Sequence, residues 1–248
     1  MASETHDFED GTTDSFDAVV VAGTHNALTV EGFDEGAPFR GAQGVKIYLD
    51  AASDTTALYL EDTTTLTGGE RDTWTAIAWR GDAGFTMAVS ELVRIGFANE
   101  AGAWRWRLFL ETDGAGLYRL RGQYAAGDDL VTAYGGFDPF RPHDIHVGWS
   151  GESSGSAGDG SMELWVDGVK EDETTGSADF PNKIDTVRVG AEALTGSAAD
   201  GLLFLDEVRV TAGTQPAVLL AKNNPRRRTG LLVARSVGHQ AAAVVSTV

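Results

Sequence analysis

Residues 144–174 read DIHVGWS GESSGSAGDG SMELWVDGVKEDET: two alternating apolar and polar runs separated by a glycine- and serine-rich loop. A strand sends successive side chains to opposite faces, so Leu164 and Val166 share one face and Glu163, Trp165 and Asp167 the other. Asp167-Gly168 is a tight-turn dipeptide that ends the strand and reverses the chain. Runs of the same kind recur at Asp17–Ala22, Ala27–Glu31, Gly44–Asp50, Ala57–Glu61, Thr73–Arg80, Glu91–Ala98, Trp104–Glu111, Leu117–Tyr124, Asp144–Ser150, Met162–Val166, Thr186–Gly190 and Leu202–Val210. Helical periodicity is nearly absent. Twelve short strands bounded by Gly, Asp, Asn and Thr predict an all-β, two-sheet antiparallel jelly-roll sandwich.

The 248 residues are 42% hydrophobic, enough for a sizeable core, and contain no cysteine, which excludes disulfides and thiolate metal sites. No apolar run reaches the roughly 18 residues of a membrane span, and the acidic start MASETHDFEDGTTDSF does not read as a signal peptide. Net charge is −18, unevenly placed: residues 1–207 carry 13 basic and 37 acidic groups, whereas residues 208–248 carry six basic groups and no acid. Such an acidic body repels phosphate, so neither nucleic acid nor an anionic membrane is expected as a partner.

In Trp104–Tyr124 a turn at 112–116 joins two strands, predicted to pair Glu111 with Leu117. Trp104, Trp106, Leu108 and Leu110 then face the core with Tyr118, Leu120 and Tyr124. The opposite face carries Arg105, Arg107, Arg119 and Arg121, with Arg107 directly across from Arg121. Opposed like charges destabilise a sheet, so carboxylates or an anionic ligand must lie close. Either the acidic body supplies them or the four arginines form an anion-binding or subunit-contact patch.

The runs Ile145-His146-Val147-Gly148-Trp149, Leu164-Trp165-Val166-Asp167-Gly168, Val187-Arg188-Val189-Gly190 and Phe204-Leu205-Asp206-Glu207-Val208-Arg209-Val210, with the opening Asp7-Phe8-Glu9-Asp10-Gly11, resemble the laminin G-like, concanavalin A-like jelly roll. The strong motifs span residues 143–210, and composition extends the match to 7–212. The resemblance implies that fold, but not one function, since lectins, glycosidases, adhesion modules and virion proteins share it. Asp206-Glu207 interrupts an apolar run, where a carboxylate capping backbone N–H groups is expected before catalysis.

Retaining glucanases of this fold resemble one another in a Glu-x-Asp-x-Glu strand, whose outer acids act on the glycosidic bond. That triplet is absent here: Asp7-Phe8-Glu9 is followed by Asp10 and Gly11, and Glu171-Asp172-Glu173 reads as a solvated charged loop. No catalytic residues are therefore expected, and no enzyme. His143 and His146 point to opposite faces of a strand and cannot share a zinc ion, so no metal site is expected from them. Laminin G-like domains often resemble each other in a rim calcium site; Asp128, Asp129, Asp159 and Asp200 are loop acids of the right kind, and the sequence selects none. Beyond that calcium, no cofactor is implied. Exposed aromatics would mark a lectin, and Phe137 and Phe140 in GGFDPFRP stand in a loop where they would plug the end of the sandwich or meet a sugar.

Residues 1–212 are thus expected as the jelly-roll domain and 213–248 as a basic, apolar, strand-forming C-terminal arm, with Arg226, Arg227, Arg228, Leu231, Leu232, Val233, Val244 and Val245 as its assembly residues. Apolar strands at a terminus need a sheet edge, on their own body or on a neighbour. The neighbour is favoured because the sandwich is complete by Val210. The expected function is a non-enzymatic structural or adhesive protein that binds copies of itself or other particle proteins, in a virion or a surface filament. The alternative is a carbohydrate-binding module whose partner is a glycan.

Overall fold

The computed structural model describes residues 3–22, 27–32, 42–50, 56–63, 65–66, 68–124, 129–154, 157–177, 183–193 and 198–213. Its strands are β1 (Ser3–His6), β2 (Ala18–Val21), β3 (Ala27–Gly32), β4 (Gln43–Leu49), β5 (Thr56–Asp62), β6 (Asp72–Gly81), β7 (Leu92–Glu100), β8 (Ala103–Thr112), β9 (Tyr118–Tyr124), β10 (Asp129–Val131), β11 (His143–Ser150), β12 (Gly160–Val166), β13 (Val169–Ser177), β14 (Thr186–Ala193) and β15 (Gly201–Ala212). An eight-stranded sheet runs β13-β12-β11-β6-β15-β4-β3, with β1 added beside β15, and a seven-stranded sheet runs β10-β9-β8-β7-β14-β5-β2. All the pairings are antiparallel. The two-sheet sandwich is therefore as the alternation predicts.

The core follows the period of two. Val45, Ile47 and Leu49 of β4, Ile145, Val147 and Trp149 of β11, and Leu58 and Leu60 of β5 are all buried between the sheets. At about 25 cal/mol per Å² of apolar surface removed from water, such side chains contribute roughly 1.5–3 kcal/mol each. Val166 pairs with Val169 across a two-residue turn whose Asp167 and Gly168 have φ of 51° and 80°. Positive φ at both positions is the type I′ geometry that matches strand twist, and Asp-Gly supplies it at low cost.

Three features depart from the expected pattern. First, β1, β10 and β13 are strands beyond the predicted twelve, and β13 contains Glu171-Asp172-Glu173. That triplet is an exposed edge strand rather than a loop; its Asp172 Oδ2 accepts from the backbone N–H of Val131 at 3.0 Å, joining β13 to β10. Second, Thr112 pairs with Tyr118, so Glu111 lies opposite Arg119, and Arg107 lies opposite Gln123 rather than Arg121. A five-residue loop, closed by bonds from Asp113 N to Leu117 O and from Gly116 N to Asp113 O, moves the register by two. Third, a bulge in β8 pairs Ala98 with Trp106 but Asn99 with Trp104, which turns Trp104 away from the core side that holds Trp106, Leu108 and Leu110.

A bulge also explains Asp206-Glu207. Leu205 pairs with Trp79 and Val208 with Ile77, so two residues of β15 oppose one of β6. The extra residue shifts the inward parity, which lets Leu203 and Leu205 before it and Val208 and Val210 after it all face the core. Glu207 accepts from Arg209 at 2.8 Å. The predicted arm at 213–248, with Arg226, Arg227, Arg228, Leu231, Leu232, Val233, Val244 and Val245, lies outside the described residues apart from Gly213.

Candidate ligand groove on the eight-stranded sheet

Outward positions of β6, β11 and β12 meet at Gly148, which pairs with Trp74 on one side and Glu163 on the other. One pleat further along, Ser150 pairs with Asp72 and Ser161. These side chains border a depression of about 370 Å³. Glycine at 148 has a direct reason: a Cβ there would stand 2.5 Å from Trp74 Cζ2, so only the absence of a side chain lets the indole lie over this backbone. Trp74 is 8% exposed and meets Trp165 edge-on at a centroid separation of 6.4 Å.

The polar groups are held by their neighbours. Ser150 Oγ donates to Asp72 Oδ1 at 2.5 Å, and Trp165 Nε1 donates to Glu163 Oε2 at 2.8 Å. Lys170, across β13, stands 5.8 Å from the Trp165 ring and 3.8 Å from Glu163 Oε1. Its hydrogen bond to Glu173, and then the charge of Glu163, hold the Lys170 ammonium above its ordinary range. A carboxylate has about four lone-pair sites, so Asp72 and Glu163 retain acceptor capacity for hydroxyl groups. Trp74 gives the depression an apolar wall between two such carboxylates, and Trp165 meets that indole at an interplanar angle of 61°.

The arginines predicted as a patch lie on the outside of the other sheet, and three have carboxylate partners: Arg105 with Glu100 at 2.5 Å, Arg119 with Glu111 at 2.7 Å and Arg121 with Asp129 at 2.9 Å. Burial works against the Arg119 charge, but bonding to Glu111 more than offsets it and the guanidinium sits above its usual range. Arg107 lies over the Trp104 ring at 4.0 Å, and burial lowers its pKa. The acidic body thus supplies the carboxylates that this face requires. Arg94 and Arg188 extend the pattern, pairing with Glu192 and Glu61 and covering the Phe97 ring at 4.4 and 5.1 Å.

Other predicted residues are placed as follows. Phe137 is buried against Trp79 and His143, plugging the end of the sandwich, while Phe140 is 41% exposed and edge-on to Tyr118. His143 bonds Asp167 at 3.0 Å and the Asp138 carbonyl at 2.8 Å, whereas His146 sits among outward positions, opposite Ala76 and Trp165. The two histidines diverge as strand alternation requires. Glu9 accepts backbone N–H bonds from Ala42 and Gln43, so the opening motif anchors β4. Of the loop acids considered for calcium, Asp159 accepts from Ser153 N at 2.8 Å, and this bonding keeps its carboxyl below the ordinary range; Asp128 lies outside the described residues. Asp129 is committed to Arg121 and Asp200 forms a bridge with Thr86. Glu163 and Trp165 were legible as one outward face, whereas Asp72, Trp74 and Ser150 come to them only through cross-strand register.

No protein-family model and no curated protein matches the chain. Solved structures do. Domain 4 of AbnA, an extracellular arabinanase from Geobacillus stearothermophilus determined with arabinotriose, is 13% identical with a TM-score of 0.54, over 89% of this chain and 98% of that one. A carbohydrate esterase of the Shiga toxin-encoding bacteriophage phi24B is 15% identical with a TM-score of 0.54, over 86% and 98% of the two chains. The alginate lyase vAL-1 from Chlorella virus is 12% identical with a TM-score of 0.51, over 80% and 93%. The fold is the concanavalin A-like jelly roll, one shared by binding domains and enzymes alike.

Proposed function

We propose that this chain is a carbohydrate-binding module, non-enzymatic, whose glycan lies in the groove on the eight-stranded sheet. The observation that carries the reading is the juxtaposition of Trp74 with Asp72 and Glu163 around one depression, with Trp165 edge-on to Trp74 beside it. Sugar rings present apolar C–H faces to indoles, and their hydroxyls donate to carboxylates. Because the groove's acids repel anions and the chain is acidic overall, neutral saccharides fit it better than uronic or sialic acids. The arabinotriose complex of the Geobacillus domain supports the reading by analogy of fold. Asp72 and Glu163 hold hydroxyls in this scheme and carry no proton-transfer step.

A glycan array followed by calorimetry on Trp165→Ala tests it. Binding to a neutral oligosaccharide that falls at least about tenfold in the variant, a loss of about 1.4 kcal/mol, is the expected result. No glycan binding by the intact chain, or full binding by the variant, overturns it.

The charge split of the sequence, −24 over residues 1–207 and +6 beyond, favours a second reading in which residues 213–248 assemble the module into a virion or surface particle. Light scattering on the full chain and on one ending at Thr214, at low and high salt, tests this separately. Large species from the full chain alone support assembly; monomers throughout refute it.

A further inference from the structure

A cluster at the seam between the sheets lies apart from the groove. β1 carries Glu4 and His6 two residues apart, hence on one face, where they meet Asp62 at the end of β5 in the other sheet. His6 and Asp62 are 1% and 2% exposed, and the ligand atoms of Glu4, His6 and Asp62 all lie within 4.8 Å of one another. His6 Nε2 stands 3.3 Å from Asp62 Oδ2, and Thr65 Oγ1 stands 3.0 Å from both Asp62 Oδ2 and Glu4 Oε2.

This set is short of positive charge. Among the described residues no lysine or arginine forms an ion pair with Glu4 or Asp62, so one imidazole faces one buried carboxylate and one partly exposed one. Asp62 also accepts the Thr65 backbone N–H at 3.1 Å, but that bond and one imidazole do not balance two carboxylate charges, and burying unbalanced charge is costly. The Thr65 hydroxyl, moreover, has a single hydrogen for two carboxylate oxygens at equal distance. It can donate to one, and the other contact then sets oxygen lone pairs against each other.

A divalent cation removes both difficulties. Tetrahedral zinc with bonds of about 2.0–2.2 Å places neighbouring donor atoms roughly 3.4 Å apart, close to the 3.3 Å between His6 and Asp62 and the 3.0 Å from Thr65 to Asp62 and Glu4, with Glu4 within 4.8 Å of the other two ligands. His6 Nδ1 is 2.9 Å from Ser15 Oγ and its ring stacks on Phe16 at 3.8 Å. With Nδ1–H donated to Ser15, the Nε2 lone pair is turned towards the carboxylates, the second-sphere arrangement typical of a metal-bound histidine. One nitrogen and a few oxygens in a tight, buried setting suit zinc-like ions better than calcium, which takes six to eight oxygens.

The geometry points to a structural zinc-class site formed by Glu4, His6 and Asp62, with Thr65 Oγ1 at the fourth corner, that clamps β1 of one sheet to β5 of the other. It is independent of the sugar reading.

Full-length protein stripped with a chelator and titrated with zinc chloride tests the assignment, followed by calorimetry and thermal melting, with cobalt(II) as a spectroscopic probe. One equivalent of zinc, a raised melting temperature and the visible absorption of tetrahedral cobalt are expected. His6→Asn removes the nitrogen ligand and should abolish stoichiometric binding. Glu4→Gln, at a partly exposed position that keeps its shape, should weaken zinc at least about tenfold and remains informative if the His6 variant does not fold. Absence of stoichiometric zinc in the intact chain overturns the proposal. So does zinc binding that Glu4→Gln leaves unchanged, which would place the ion on other histidines, or a melting temperature raised by calcium and not by zinc.

Discussion

The outer faces of the two sheets are built by the same alternation and end up as opposites. On the seven-stranded sheet, guanidinium and carboxylate groups occupy neighbouring outward positions, and Arg94, Arg105, Arg119, Arg121 and Arg188 each take an acidic partner while several also cover aromatic rings. That face closes on itself. Around Gly148 on the eight-stranded sheet the outward positions hold indoles, hydroxyls and carboxylates, with Arg71 and Lys170 reaching Asp72 and Glu163 only at 3.6 and 3.8 Å, and an open depression remains. The lesson is that charges paired closely at alternate positions seal a sheet face, whereas an indole lying over a glycine, with carboxylates beside it, leaves that face open.

The largest expected effect comes from a glycine in each sheet. A Cβ at Gly190 would drive into the Leu58 carbonyl of the adjacent strand, at a φ of 155° that side chains rarely adopt. Gly190→Ala should therefore cost about 3 kcal/mol or more, read as a fall in the urea midpoint; tolerance of alanine would show that β14 and β5 can separate cheaply. Gly148→Ala meets a tryptophan ring instead of backbone, and a ring can tilt. Its stability cost should be smaller, about 1–2 kcal/mol, with the groove's glycan affinity down about fivefold because Trp74 is displaced, a loss of about 1 kcal/mol. Calorimetry beside denaturation separates the two effects.

Smaller effects test the closed face. Arg119→Ala takes the cation from the Tyr134 ring and leaves Glu111 only Arg121 at 3.9 Å, and since the pair is partly screened by water the loss should be about 1 kcal/mol, with saccharide affinity unchanged. A drop in binding would move the glycan to the arginine face. The smallest change is expected from Phe140→Ala: within about 0.5 kcal/mol in stability, as for an exposed side chain, and none in binding. A clear binding loss there would shift the site to the 137–140 loop.

Strand positions were legible because apolar alternation is strong wherever one face is buried. The strands that escaped notice lack that signal. Ser3–His6 is polar and is held by pairing with β15, and Val169–Ser177 is an exposed edge whose charges discourage another strand from adding to it. Faces were harder than strands. The run Thr73–Arg80 carries tryptophan at both parities, and only the pairing of Trp74 with Gly148 shows that one of them faces outward. A bulge turns Trp104 away from its neighbours' face, and a loop placed one residue further along the chain, at 113–117, undoes the predicted opposition of Arg107 and Arg121. Bulges and loop closure are set by long-range fit, which alternation does not encode.

The pairing of β1 with β15 joins Ser3 to Thr211, residues 208 apart. During synthesis at roughly 5–20 residues per second, β1 waits on the order of 10–40 s for its partner to be made. The same late strand fills the slot between β6 and β4, so the eight-stranded sheet has a gap at its centre until Ala212 has left the ribosome. Completion of the sandwich thus waits on its last-made strand and is an event of high contact order.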